Sequence, residues 1–141
     1  MSIMNESRTN TLPVTSNILN RRYQYAVGLF LERQYLENAL KELQANEFPM
    51  HQVTIVSKNT INSSYITDIK ISTSQYYHFA NFDIADEVAR NYNYQIALGN
   101  YLIVLRGTAI LIAAARNILQ SRKIQHFATF NPSILAGLYG K

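Results

Sequence analysis

Two apolar runs, YQYAVGLFL (Tyr23–Leu31) and YLIVLRG (Tyr101–Gly107), limit what this chain can become. A strand with one wet face alternates apolar and polar residues, because successive side chains point to opposite sides. Here apolar alternates with apolar. In the first run Tyr25, Val27 and Leu29 share one side and Ala26, Gly28 and Phe30 the other; in the second, Tyr101, Ile103 and Leu105 oppose Leu102 and Val104. Both strands must be dry on both sides, so the chain is expected to form a sheet with each face covered.

Each run leads into a helical pattern and then another strand. Over Glu32–Asn46, Tyr35, Leu36, Ala39, Leu40 and Leu43 recur at spacings of three and four, while Glu37 and Lys41 sit at i,i+4 on a wet face. Pro49 ends this helix by disfavouring the helical region for Phe48, and HQVTIVSK (His51–Lys58) is the next strand. The second run is followed by a helix over Thr108–Arg122 and a strand, QHFATF (Gln125–Phe130). A further helix, Asp83–Leu98, precedes the second run: Ile84, Ala85, Val88, Tyr92 and Ile96 mark its face, Asp83, Asp86 and Glu87 its first turn, and Gly99 its stop. Residues 57–80 are rich in Ser, Thr and Asn, and Tyr65, Thr67, Ile69 and Ile71 alternate with Ile66, Asp68, Lys70 and Ser72, as in a half-exposed strand or hairpin arm. Two βαβ units with their helices on one side of a sheet predict an α+β fold of the ferredoxin-like split βαβ kind, a four-stranded antiparallel sheet with an extra helix before the third strand. The expected organisation is a tail over 1–20, a domain over 21–131 with 57–80 as a variable insert, and a tail over 132–141.

At 141 residues and 48% hydrophobic content the chain has the material for one core. It has no cysteine, which excludes a disulfide framework, a thiolate nucleophile and a thiolate metal site. The opening MSIMNESRTN lacks the pattern of a secretory signal, and the longest apolar stretch, Ala109–Ala115, falls far short of the ~20 residues of a membrane span. A cytoplasmic location is expected, with attachment at the periphery of a membrane complex as a variant of it. Charge is uneven. Residues 1–87 carry seven bases and nine acids, net −2, while 88–141 carry Arg90, Arg106, Arg116, Arg122, Lys123 and Lys141 and no carboxylate, net +6. A basic half can draw an acidic protein surface, acidic headgroups, nucleic acid or the acidic part of a second copy.

The segment RRYQYAVGLFLERQYLENALKELQANEFPMHQVTIVSKN resembles the opening of the general stress protein family of Gram-positive bacteria and their cyanobacterial relatives, where a strand "avg.F" leads to a helix ending "aL.eL...gfp". YNYQIALGNYLIVLRGTAILIAAARNILQSRKIQHFATFN is similar to that family's closing segment, a helix, "gGyLv.v.Gt", and a second helix. The relatives often insert a Gly- and Ala-rich apolar hairpin where this chain has the polar TINSSYITDIKISTSQYYHF. The resemblance implies a stress-associated or regulatory role and a cyanobacterial setting, and supplies no catalytic residues.

Candidate chemistry is sparse, and neither an enzyme nor a cofactor is implied. His51, His78 and His126 share no metal-ligand spacing, so no metal site is expected. Helix capping alone accounts for Asp83, Asp86 and Glu87. Arg106, Gly107 and Thr108 end a strand and open a helix whose first turn has no acid, an arrangement in which free N–H groups and an arginine can hold an anion. RNA-binding sheets of this kind display a K/R-G-F/Y-G/A-F-V-x-F/Y pattern on the third strand, which YLIVLRG lacks, so nucleic acid is not the expected partner.

What covers the sheet gives the main functional expectation. In the helix after Gly107, Ile110, Leu111, Ile112, Ala114, Ala115, Ile118 and Leu119 span roughly 200°, wider than the ~100° stripe one core requires. A second copy, a larger assembly burying ~800 Å² per partner, or the chain's own middle segment and tails must cover the rest. The expected interface is Tyr25, Val27, Leu29, Ile103, Leu105, Ile110 and Ile112, with Ile134, Leu135, Leu138 and Tyr139 of the second tail. The leading expectation is a non-catalytic interaction or accessory protein that self-associates or docks into a larger assembly, for which the resemblance implies a stress-related or, in a cyanobacterial setting, photosynthetic context. The alternative is a regulatory domain that binds a small anionic ligand at Arg106–Thr108.

Overall fold

A computed structural model describes residues 23–133. The expected tails therefore fall outside the described residues except for Pro132 and Ser133, and the interface candidates Ile134, Leu135, Leu138 and Tyr139 fall outside with them. Five strands, β1 (Gln24–Phe30), β2 (Val53–Ser57), β3 (Lys70–Thr73), β4 (Tyr101–Gly107) and β5 (Gln125–Phe130), form one sheet in the order β3-β2-β4-β1-β5. They are joined by three α-helices, α1 (Arg33–Ala45), α2 (Asp86–Ala97) and α3 (Ala109–Gln120). β1 pairs antiparallel with β4 and β5, and β2 antiparallel with β4, whereas β3 runs parallel to β2. The protein is thus an α+β fold on a five-stranded mixed sheet, where a four-stranded antiparallel one was expected.

The difference originates in the insert. A parallel neighbour needs a crossover rather than a hairpin, and residues 58–69 supply one without a helix. Ile66 is buried on the α1 side of the sheet, with Ile61, Tyr65 and Ile69 packed beside it. Glu37 fastens the crossover: its carboxylate accepts the Asn62 N–H at 3.0 Å, and its carbonyl accepts the Tyr65 hydroxyl at 3.4 Å. Glu37 forms an ion pair with Arg33, at 3.9 Å, and Lys41 lies 5.3 Å from the centre of the Tyr65 ring.

Both faces of the sheet are covered by this chain. On the first, Ala26, Phe30, Val53, Ile55, Ile103 and Leu105 pack under Leu36, Leu40 and Leu43 of α1 and Ile112, Ala115 and Leu119 of α3. On the second, Val27, Leu29, Val56, Leu102 and Val104 pack under Tyr92 and Ile96 of α2 and under Phe79 and Phe82, from the segment before it. This corrects the expected interface. Val27, Leu29, Ile103, Leu105 and Ile112 are buried between the chain's own layers, divided over two opposite faces, and Tyr25 stacks on Phe82 with ring centres 4.2 Å apart. Ile110 alone of the described interface candidates stands in solvent, 75% exposed.

Helix ends follow local chemistry. After α1 the Phe48 N–H donates to Leu43 O at 3.0 Å and the Glu47 N–H to Gln44 O at 3.0 Å, a Schellman closure with Glu47 at φ 64°, a conformation usually left to glycine. After α2 the same closure recurs, Asn100 N–H to Gln95 O and Gly99 N–H to Ile96 O, and here Gly99 holds the positive φ. Asp86 and Glu87 occupy the first turn of α2 as expected, while Asp83 lies before the helix.

β5 is irregular. It pairs Val27 with Ala128 but Leu29 with Gln125, so His126 and Phe127 oppose Gly28 alone in a bulge with His126 at φ 53°. The Tyr92 hydroxyl donates to His126 O at 2.7 Å and ties α2 to this bulge. Burial pushes the Tyr92 phenol from 10.0 up to about 12. Between those values the unfolded chain releases a proton that the folded chain keeps, so this stabilisation is complete below pH 10 and is lost as the pH rises to about 12. Tyr92→Phe is expected to cost about 1 kcal/mol at neutral pH, for the hydrogen bond. It should also flatten the fall in stability between pH 10 and 12 when urea denaturation is followed across that range; an unchanged slope would mean that the hydroxyl is hydrated in the folded protein.

Candidate functional site

The strand alternation that buries the sheet also separates the residues expected to bind an anion together. Arg106 is paired with Tyr25 and falls on the second face, whereas Gly107 is buried on the other side, where a Cβ would lie 3.3 Å from that of Leu111. Thr108 caps α3 with its own hydroxyl, which accepts the Leu111 N–H at 3.4 Å. Gly107 and Thr108 thus complete a turn and a cap. Arg106 stands elsewhere, in a polar basin of about 260 Å³.

Six parts of the chain build that basin. His51 and Gln52 come from the 3-10 turn before β2, Thr54 from β2, Lys70 from the first position of β3, Tyr25 from β1, and Val104 and Arg106 from β4. Tyr77 and Asn81, from the segment crossing the second face, complete the wall. Register explains the gathering: Thr54 pairs with Val104 on one side and Lys70 on the other, and Arg106 pairs with Tyr25, which places these side chains at one end of one face. The Lys70 ammonium donates to His51 O at 3.2 Å, and the Arg106 guanidinium lies 4.4 Å from the centre of the Tyr23 ring. Among the described residues, no carboxylate lines the basin.

Tyr77 is held in place by its backbone. Asn93 of α2 accepts the Tyr77 N–H at 2.7 Å and donates to Tyr77 O at 3.0 Å, acting as a short piece of strand. Burial, and secondarily the Tyr25 phenol nearby, push the Tyr77 phenol above its ordinary value, so its hydroxyl keeps its proton and stays a donor. Arg106, Lys70, His51, Tyr25 and Tyr77 form a donor-rich hollow of positive charge. Such a hollow favours an anion and repels cations.

A second concavity of about 750 Å³ lies across the same segment, lined chiefly by Tyr76, Phe79, Phe82, Arg90 and Tyr94. The other cations of the basic half are dispersed: Arg122 pairs with Glu42, Arg116 lies over the Phe127 ring at 5.2 Å and Lys123 over the Tyr35 ring at 5.0 Å. Among the described residues, these cations form no single basic face. Tyr101 is buried, and one face of the Tyr25 ring is covered by Phe82. Among the described residues, no group of three or more His or carboxylate side chains converges as a metal site, and no helix is long and apolar enough to cross a membrane.

Sequence reasoning found Arg106 and missed its companions. Lys70, His51 and Tyr77 stand far apart in the chain, and only the parallel pairing of β3 with β2 brings Lys70 beside Thr54. Compared with protein families, with curated proteins and with solved structures, the chain matches none.

Proposed function

We propose that this protein is a non-catalytic regulatory domain that binds a small anion in the basin around Arg106. The observation that carries the reading is the convergence of Arg106, Lys70 and His51 with the phenols of Tyr25 and Tyr77 in one hollow that, among the described residues, no carboxylate lines. It is supported, too, by the way the sheet is covered: the faces expected to await a partner are packed against α1, α3, α2 and the aromatic segment. Four strands in the order β2-β4-β1-β5, each antiparallel to its neighbours, with two βαβ units, support a ferredoxin-like core to which β3 and α2 are additions. Membership of the general stress protein family, and the regulatory role it implies, belong to this proposal and rest on the two sequence segments that resemble it.

The test is calorimetric titration of the full chain with inorganic phosphate at fixed ionic strength. Saturable binding is expected, and Arg106→Gln should weaken it at least tenfold while leaving the circular dichroism spectrum unchanged, since Arg106 is exposed. Equal binding by the variant would remove Arg106 from the site.

A second reading, an accessory protein that joins another protein or a second copy, is favoured by the outer surface of α3, where Ile110 is 75% exposed beside exposed Ala109, Ala113 and Ala114. Ile110→Asp should then lower the mass of the native assembly measured by light scattering after size exclusion; an unchanged mass removes this reading.

A further inference from the structure

The basin's donors say more than that it is basic. The proposal that follows rests on the anion-binding reading and narrows it. A carboxylate presents two oxygens in one plane, and the fork of a single arginine satisfies it. The hollow here offers much more: the guanidinium of Arg106, the ammonium of Lys70, the His51 ring, the hydroxyls of Tyr25, Tyr77 and Thr54, and the carboxamides of Gln52 and Asn81. Within the described residues, Lys70 of this set donates to His51 O and the Arg106 guanidinium lies over the Tyr23 ring. These donors come from β1, β2, β3 and β4 and from the segment crossing above them, so they surround a ligand instead of lying in one plane. A phosphoryl group matches that arrangement, with three strong acceptor oxygens and a charge of about −1.5 to −2 set against two permanent cations.

Size argues for an organic body as well. The hollow of about 260 Å³ is many times the ~30 Å³ share of one water, and a phosphoryl group against Arg106 and Lys70 fills only part of it. Beside its polar groups the wall has a smaller apolar part, Val104 and the carbon of the Tyr25 and Tyr77 side chains. We infer that the basin takes a phosphate monoester, with its phosphoryl group between Arg106 and Lys70 and a small apolar or planar body against Val104 and the two tyrosine rings.

The probes are phenyl phosphate, inorganic phosphate, sulfate and benzoate, titrated into the full chain at one ionic strength. Phenyl phosphate is expected to bind at least tenfold more tightly than each of the others, and Lys70→Gln to reduce that preference over benzoate. Tyr77→Phe, which keeps the ring and removes a donor, should weaken phenyl phosphate severalfold and benzoate little. Equal affinity for all four anions overturns the monoester inference and leaves the anion-binding reading intact, while absence of saturable binding by any of them overturns both. A headgroup and a soluble metabolite can carry the same monoester. Co-sedimentation with phosphatidylcholine vesicles containing phosphatidic acid, lost in Lys70→Gln, assigns the monoester to a headgroup; phenyl phosphate binding without co-sedimentation assigns it to a soluble compound, and either result upholds the inferred chemistry.

Discussion

Phe82→Ala is expected to destabilise the protein by about 3–5 kcal/mol, lowering the midpoint of thermal unfolding by roughly 15 °C. The ring is 5% exposed and is the hub of the second face. It stacks on Tyr25, meets Phe79 edge-on with centres 5.4 Å apart, and lies 6.1 Å from both Tyr77 and Phe130. Its removal leaves a cavity between the sheet and the covering segment, and the neighbouring rings are too rigid to refill it. Phe82→Leu retains most of the volume and should recover more than half of the loss. The measurement is urea denaturation followed by both far- and near-ultraviolet dichroism. A loss under 1 kcal/mol would show that the aromatic segment is not seated on the sheet in solution.

Gly28→Val is expected to cost at least ~3 kcal/mol, near the upper end for overpacking. Gly28 lies opposite the β5 bulge, and a Cβ there would stand 2.3 Å from Cδ1 and 2.7 Å from Cγ1 of Ile124. A branched side chain adds two further methyl groups in a strand whose other face is equally packed. The obstacle is one side chain and not the backbone, which gives the second arm of the experiment. Gly28→Ala should be much less costly in an Ile124→Ala background than alone, with a coupling above 1 kcal/mol in the double-mutant cycle. Additive costs would show that the clash lies with β5 itself.

The readable parts of this fold were those decided by neighbours in sequence. The run Tyr101–Gly107 and the last strand Gln125–Phe130 have the expected bounds, α1 and α3 begin and end within two residues of their patterns, and Gly99 stops α2 through a positive φ. The demand that both sheet faces be dry was also legible, since Val27, Leu29, Ile103 and Leu105 leave no polar side. What meets that demand was not. The cue was in the text, as Tyr76, Tyr77, Phe79 and Phe82 crowd seven positions before α2, but nothing local says which face such rings will cover. The parallel β3 was hidden for another reason: its four residues, KIST, are all exposed, so no periodicity of burial marks them. Arg106 was found because it ends an unmistakable strand. Lys70, Tyr77 and His51 belong to the basin through pairing and crossing that act at a distance in sequence.

The two permanent cations of the basin sit on strands of very different security. Arg106 is anchored in β4, which has strands on both sides and packed layers above and below, and amide protons there should exchange with solvent only when the whole domain opens. Lys70 is on β3, a four-residue edge strand with every side chain exposed, where amides should exchange through small, frequent openings. An occupant that grips both cations would splice the loosest strand of the sheet to its most protected one, so slowed deuterium uptake along Lys70–Thr73, with none along Tyr101–Gly107, would be its isotopic footprint.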